Sequence, residues 1–293
     1  MTTNNYYKFI SLILILLSVS SLFIGFVYGE NSAGAGTFKG DFVGFWKNLQ
    51  TFLNNDIPAA LKFTAELDVG GENYKSSRTP LLYIFHKLFN PFVENEIVFI
   101  RSVFVMSLSL PLLFYFCLRE KFKEEENLIL ILISSTVFLS PYFRTSAFWG
   151  REENFGLISL LISFIFLNKF LSNNKNILKD YYHLFLAIFF SSITLYFDQK
   201  LAIIPLICFL QIIFSDKSFK LKFCSIFLYF IFSLPYIYLI IIWGSLIPTG
   251  DAFRGIGNRL YLDHLGYAST IIAFYLLPLL FFKRNFFRII KNF

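Results

Sequence analysis

Long apolar runs alternate with short polar stretches along the whole chain. Eight of these runs are candidate membrane-spanning helices: residues 9–28, 97–117, 127–140, 155–171, 182–197, 201–214, 223–244 and 267–282. A helix of about 20 residues crosses a hydrocarbon core of about 30 Å, and only the third and sixth runs are clearly shorter. The pattern predicts an all-α integral membrane protein with about eight transmembrane helices.

The composition agrees with this prediction. Of the 293 residues, 56% are hydrophobic, 20% aromatic and only 15% charged, and the mean hydropathy is +0.61. These values exclude a soluble globular domain and a disordered chain as the main class of protein.

The positions of the basic residues predict the orientation in the membrane. If the N-terminus is cytoplasmic, the inside segments carry Lys8 and the basic clusters at 119–123, 169–179, 217–222 and 283–291. The short outside loops carry few cations, which fits the excess of lysine and arginine on the cytoplasmic side of membrane proteins. We therefore predict a multi-pass protein of the plasma (inner) membrane with both termini in the cytoplasm. The net charge of +7 then reflects topology and attraction to anionic lipids, so it implies no nucleic-acid partner.

The first apolar run has an alternative interpretation as a cleaved signal peptide. Lys8 precedes an apolar stretch that ends near Val27, Tyr28 and Gly29. The run is as long as a membrane span, and Tyr28 is a poor small-residue cleavage signal. Both features favour a retained helix.

The first outside loop, residues 30–96, is too long for a simple connection and is expected to have structure of its own. After Asp41, apolar residues recur at helical spacing, which predicts an amphipathic helix at the membrane interface. They are Phe42, Phe45, Trp46, Leu49, Phe52 and Leu53. A second short helix is expected after Asp56, with Pro58 in its first turn. Asp41 has two compatible interpretations: the N-cap of the first helix, or a carboxylate that accepts a proton from a hydroxyl group.

A second group of polar residues lies between the third and fourth predicted spans. The stretch 140–155 contains Arg144, Arg151, Glu152, Glu153 and Asn154. A solvated turn with belt aromatics such as Tyr142 and Trp149 accounts poorly for four charges in so short a loop. Arginines bind phosphate through forked hydrogen bonds, and carboxylates orient or deprotonate sugar hydroxyls. We therefore interpret this loop as functional.

Other cations are expected on the same face, and no structural metal site is evident. The further cations are Arg78, Arg101, Lys200, Arg254 and Arg259. Arg101 has the alternative of extending to the headgroup region from within the second span. The three cysteines and three histidines are scattered, without a disulfide framework or a zinc spacing.

The order of these features resembles the GT-C superfamily of membrane glycosyltransferases. The branch in question includes protein O-mannosyltransferases, the aminoarabinose transferase of lipid A and RgtA/B/C/D-like enzymes. The likeness lies in an acid soon after the first span (Asp41), surface helices, a stretch from Arg78 to Tyr83 like the family's Pro-Pro-Leu-Tyr, Arg101, and a Ser-Pro loop with arginine and acid. It covers residues 1–170, a catalytic module that includes loop 30–96. Residues 171–293 would add further transmembrane helices to a single polytopic membrane domain.

The resemblance implies a function in cell-envelope glycosylation. Such enzymes transfer a sugar from a polyprenyl-phosphate donor to a lipid, glycan or protein acceptor on the extracytoplasmic face. Asp41 would be the general base, and Glu153, with Glu152, would position the acceptor or assist. Arg144, Arg151, Arg78 and Lys200 would neutralise the departing phosphate, with Asn154 and Arg101 as further substrate-binding residues. No cofactor is implied, although some relatives use a divalent cation.

Two departures from the family keep other hypotheses open. The proline before Leu81 is single, and the predicted spans are fewer than in most members. The alternatives are an inactive truncated member of the superfamily, and a transporter or flippase of a lipid-linked sugar or small solute. The transporter hypothesis rests on the prolines at or within spans, where they interrupt helices around binding sites. These are Pro141, Pro205, Pro235 and Pro278.

Overall fold

In a computed structural model, the regular elements of the described residues are all helices. The description covers residues 3–30, 37–66, 76, 78–172 and 176–250. The α-helices are α1 Thr3–Val27, α2 Thr37–Asn54, α3 Ile57–Glu66, α4 Leu81–Phe89, α5 Glu96–Ser107, α6 Ser109–Lys121, α7 Asn127–Ser135, α8 Pro141–Phe148, α9 Glu153–Leu171, α10 Ile177–Phe197, α11 Ile203–Ile213 and α12 Phe219–Trp243. Short 3₁₀ turns precede α8 and α11, at Thr136–Leu139 and Gln199–Leu201. The predicted span at 267–282, Arg254 and Arg259 lie outside the described residues.

Four helical stretches in the described part of the chain are long and apolar enough to cross a membrane. They are Lys8–Val27, Glu96–Lys121, Glu153–Leu171 and Phe219–Trp243. A fifth exists if Asn127–Leu139 and Pro141–Phe148, which meet at 63°, form one broken span. Helices of this kind support a membrane protein, as predicted, whereas the total of eight spans stays a prediction.

Two short breaks in the apolar stretches have local causes. Leu108 separates α5 from α6, and Pro111 in the first turn of α6 has no N–H to donate to the carbonyl of Ser107. The 63° bend falls at Ser140, whose hydroxyl accepts a hydrogen bond from the Phe143 amide and so begins a new helix. Pro235, in contrast, lies inside the continuous helix α12.

Helices α9 and α10 form an antiparallel hairpin that defines two ends of the bundle. At one end, Lys200 lies 3.6 Å from Glu153, the first residue of α9. At the other end, Lys217 donates to the Asp180 carboxylate at 2.9 Å and to the Ser172 carbonyl. The end of α10 therefore lies beside the start of α9.

The apolar face of α2 packs on protein, which corrects the prediction that its rings lie in the membrane interface. Helix α2 is amphipathic as expected, but Phe42, Phe45, Leu49 and Phe52 are buried in a core shared with α4, α5 and α9. Tyr83 of α4 contacts two of these side chains: its ring centroid lies 5.1 Å from the ring centroid of Phe45 and 5.1 Å from that of Phe52. A face buried against other helices is not available to lipid, so the apolar positions predicted for the interface form the core of the loop segment.

The boundaries of α2 and α3 test the N-cap interpretation of Asp41. Helix α2 begins at Thr37, so Asp41 lies in its second turn and the N-cap prediction is wrong. Asp56 does have this capping role for α3: its carboxylate accepts a hydrogen bond from the Ala59 amide at 2.9 Å. The predicted second helix with Pro58 in its first turn is thus confirmed.

The stretch 140–155 is more ordered than the loop predicted from its polarity. It contains helix α8, a tight turn at Gly150 and the start of α9. Gly150 has φ of +63°, a conformation that favours glycine, and an added Cβ would lie 2.8 Å from the Phe99 ring. The turn packs closely against α5, which fixes the position of the neighbouring Arg151.

Candidate active site

Arg151 joins two carboxylates from distant parts of the sequence. One terminal nitrogen, Nη1, lies 3.2 Å from Asp41 Oδ2, and the other, Nη2, lies 2.9 Å from Glu153 Oε1. The side chains of Arg151 and Glu153 are 10% and 6% exposed, whereas that of Asp41 is 46% exposed. A buried guanidinium thus holds one buried and one accessible carboxylate together.

A second ion pair, between Arg78 and Glu152, lies beside the first. Arg78 Nε is 3.3 Å from Glu152 Oε1, and both side chains are buried. The Arg78 guanidinium also lies over the ring of Phe45, 5.5 Å from its centroid. Phe45 is one helical turn beyond Asp41, so α2 presents Asp41 to Arg151 and the Phe45 ring to Arg78.

Lys200 adds a solvent-accessible cation to this group. Its ammonium lies 3.6 Å from Glu153 Oε1 and its side chain is 58% exposed. An exposed pair of this kind contributes little to stability. The accessibility of Lys200 makes it suited to contact a bound molecule.

Two members of the site were not assigned to it from the sequence. Tyr142 donates a hydrogen bond to Asp198 Oδ2 at 3.4 Å, and Asp198 Oδ1 accepts one from the Lys200 amide at 3.0 Å. Burial raises the pKa of the Asp198 carboxyl, with Glu152 adding to the rise and Lys200 opposing it. Asp198 lies two residues before Lys200. Its closeness in sequence to a candidate cation was the signal that could have identified Asp198 as a member of the site. Tyr142 was interpreted only as a membrane-belt aromatic.

Two carboxylate oxygens in the site lack an internal hydrogen-bond donor. Glu152 Oε2 and Glu153 Oε2 are buried and have no hydrogen-bond partner among the described residues. Buried acceptors are nearly always satisfied in folded proteins, and exceptions are expected where a ligand or water completes the site. Hydroxyl groups of a bound molecule would supply the missing donors.

Three of the candidates are not in this group, although the resemblance placed them in the substrate site. Arg144 forms an ion pair with Glu30 and donates to the Ser21 hydroxyl at 3.0 Å, so it connects α8 to the end of α1. Asn154 is fully buried, and its amide and side chain donate to the Ser146 hydroxyl and the Phe143 carbonyl, which shapes the turn between α8 and α9. Arg101 lines a different pocket, described below. The structure brings together Asp41, Arg78, Arg151, Glu152, Glu153 and Lys200.

The composition of the site suits charge stabilisation by protein cations. Among the described residues, no three histidine, cysteine, aspartate or glutamate side chains lie close enough to hold a metal ion. Two guanidinium groups and one ammonium lie beside three carboxylates instead. Arginine is well matched to a phosphate group through paired hydrogen bonds.

An apolar cavity begins close to Arg78. It has a volume of about 320 Å³ and is lined by Pro80 and Leu81, which follow Arg78, and by side chains of α10 and α12 such as Ile193 and Phe232. The lining is almost wholly hydrocarbon and aromatic. The cavity therefore suits an apolar chain more than a sugar.

No protein-family model, curated protein or solved structure matches this chain. The geometry of the charged site therefore carries the functional proposal.

Proposed function

We propose that the protein is a membrane glycosyltransferase that moves a sugar from a polyprenyl-phosphate donor to a lipid, glycan or protein acceptor on the extracytoplasmic face. The main support is that the Arg151 guanidinium pairs with both Asp41 and Glu153. This contact joins the two acids that a transferase of the GT-C superfamily would use. It also supplies a cation for the phosphate of the donor.

Asp41 is the proposed general base. It is the most exposed of the carboxylates paired in this group, and among the described residues it is held by a single hydrogen bond, from Arg151. An acceptor hydroxyl that reaches Asp41 can transfer its proton to the free carboxylate oxygen while the hydroxyl oxygen attacks the sugar. Glu153, buried beside it, keeps Arg151 in place and offers Oε2 to a substrate hydroxyl.

Arg151 and Lys200 are the proposed partners of the leaving phosphate, with Arg78 as a further cation. When the sugar departs, negative charge increases on the phosphate oxygens, and fixed cations next to an apolar environment stabilise that charge strongly. A phosphate that binds Arg151 competes with Asp41 for the same guanidinium. Donor binding would therefore release Asp41 for proton transfer, so that the base becomes available only when the donor is present.

The apolar cavity beside Arg78 suits the lipid part of such a donor. Pro80 and Leu81, two and three residues after Arg78, line it together with side chains of α10 and α12. One donor molecule could then place its phosphate beside the cations of the site and its polyprenyl chain in the apolar cavity.

The arrangement gives less support to a transporter. The charged side chains gather at one end of the α9–α10 hairpin instead of following a path through the bundle. Of the prolines that suggested interrupted helices, Pro235 lies in a continuous helix, whereas Pro141 does lie at the 63° break before α8.

The proposal is tested by incubating membranes that contain the protein with a panel of polyprenyl-phosphate sugars labelled in the sugar. We expect label in an acceptor together with stoichiometric release of polyprenyl phosphate, absent from membranes without the protein. Movement of intact donor between leaflets without cleavage would support the transporter and overturn the transferase. A broad donor panel with neither cleavage nor movement would also contradict the proposal.

A further inference from the structure

Arg101 occupies an unusual position on the surface of α5. It lies on one exposed stripe with Ile97 and Val105, which are 60% and 65% exposed, because residues four apart share a helix face. This stripe belongs to the apolar stretch Glu96–Lys121, one of the four that are suited to cross a membrane. In the described part of the chain, the Arg101 side chain forms no ion pair or hydrogen bond.

Arg101 lies near one end of this apolar stretch. It is five residues after Glu96, the first residue of α5, a distance of about 7.5 Å along the helix axis. A long cationic side chain at this depth extends toward the phosphate layer while its stem stays in the apolar region. Charged residues on a lipid-facing helix surface are costly unless they find such a partner.

A concave surface surrounds the arginine, which distinguishes it from an isolated cation. A pocket of about 460 Å³ is formed by Arg101 with Phe26 and Val27 at the end of α1, Ile97 and Ile100 of α5, and Phe148 and Trp149 at the end of α8. The Trp149 indole is held in place because its N–H donates to the Glu30 carbonyl at 3.3 Å. Three segments of the chain therefore contribute to one apolar pocket with a single positive charge.

We infer that this pocket binds the phosphate-bearing headgroup of an anionic phospholipid. Arg101 would donate to the phosphate oxygens, and the aromatic and aliphatic lining would take the upper part of the acyl chains. One uncompensated cation in an apolar pocket favours a ligand with one negative charge and an apolar body. The site differs from the Asp41–Arg151–Glu153 group in its residues and its ligand, and goes beyond the proposed transferase activity.

The test measures lipid retention by native mass spectrometry of the full chain in detergent. Phosphatidylglycerol is compared with zwitterionic phosphatidylcholine for the wild type and Arg101→Gln. We expect the wild type to retain phosphatidylglycerol preferentially, and the Gln variant to bind the first phosphatidylglycerol about tenfold more weakly, as expected for loss of a charge-assisted hydrogen bond. Lys121→Gln, which removes an exposed cation from the other end of the same stretch, should leave this affinity unchanged.

A second variant separates a shaped pocket from simple surface attraction. Ile97→Trp keeps the charge of Arg101 but places a larger side chain in the pocket, so it should also weaken the first phosphatidylglycerol. Equal retention of both lipids by the wild type, or full binding by Arg101→Gln or Ile97→Trp, would overturn the inference. Competition by inorganic phosphate that matches the strength of phosphatidylglycerol would assign the site to a free phosphate and contradict a lipid ligand.

Discussion

At the residue scale, the central feature is a guanidinium shared between a buried and an exposed acid. Arg151 neutralises Glu153, whose burial would otherwise be costly, and at the same time holds Asp41 at the surface. Arg151 therefore has two proposed roles. It stabilises the two carboxylates in the substrate-free site, and it exchanges its contact with Asp41 for a contact with phosphate when the donor binds.

Removing Arg151 is expected to destabilise the protein through Glu153. In Arg151→Gln the one cation left within ion-pair distance of the buried carboxylate, among the described residues, is Lys200 at 3.6 Å, so we expect a loss of about 3 kcal/mol in the free energy of unfolding. The double variant Arg151→Gln/Glu153→Gln should recover most of that loss because it buries no unpaired charge. Unfolding in mixed detergent micelles measures both, and equal instability of the single and double variants would contradict this role.

A buried histidine in the first-loop core predicts how stability depends on pH. Burial lowers the pKa of His86 to about 3 from an ordinary value of 6.5. Asn90 orients the imidazole: its carbonyl oxygen accepts from the Phe92 amide, so its NH₂ group donates to His86 Nδ1 at 3.0 Å. Between pH 6.5 and 3 the unfolded chain binds a proton that the folded chain does not, so stability is lost as the pH falls through this range.

The expected contribution of His86 is about 2 kcal/mol at pH 5 relative to pH 7. His86→Gln retains an acceptor for Asn90 but does not titrate, so its free energy of unfolding should fall less over the same range. The two proteins are compared by chemical unfolding at each pH. Parallel curves for wild type and variant would show that His86 does not cause the loss.

The residue types of the site were predictable from the sequence, but their partners were not. Asp41, Arg151 and Glu153 attracted attention because charges beside apolar spans are costly, and the structure brings these three together. Arg144 attracted the same attention, yet it pairs with Glu30 at the end of α1. Local sequence carries no signal that separates these arginines, because the choice depends on how α1, α2 and α8 pack.

At the element scale, sequence signals located α3 correctly and were overlooked for α8. Asp56 and Pro58 mark the start of α3, and Ser140 and Pro141 are an equally good start signal for α8. The high polarity of residues 144–154 suggested a functional loop without a helix of its own. The structure buries these charges against one another, which polarity alone does not reveal.

The turn between α8 and α9 is expected to tolerate no side chain at Gly150. Gly150 and Gly244 have the same φ, +63° and +64°, but an added Cβ meets the Phe99 ring only at Gly150. Gly244→Ala should therefore lose about 1 kcal/mol for its backbone conformation, and Gly150→Ala more, through displacement of the turn that carries Arg151. Thermal unfolding of the two variants checks the difference, and equal losses would contradict the close packing of this turn.

At the scale of the whole molecule, the α9–α10 hairpin separates the charges into two groups. The candidate site lies at the end that contains Glu153 and Lys200, and the Asp180–Lys217 pair lies at the other. From the excess of positive charge in the predicted inside segments, we predict that the second end faces the cytoplasm.

Cysteine labelling tests this orientation. Lys200→Cys and Lys123→Cys place thiols at two exposed positions, in a background without the native cysteines Cys117, Cys208 and Cys224. In intact cells, a membrane-impermeant maleimide should label the cysteine at position 200, and the one at position 123 only after permeabilisation. The reverse pattern would place the candidate site in the cytoplasm and contradict an extracytoplasmic transferase.

The most direct test of the account is the transfer rate of Asp41→Asn, measured with a labelled polyprenyl-phosphate sugar and compared with Asp56→Asn at equal protein amount. Both changes remove one carboxylate from the same loop segment, and asparagine preserves the capping role of Asp56. We expect transfer to fall by a factor of about 100 or more in Asp41→Asn, as for loss of a general base, and to stay near wild type in Asp56→Asn. Undiminished transfer by Asp41→Asn would contradict the account.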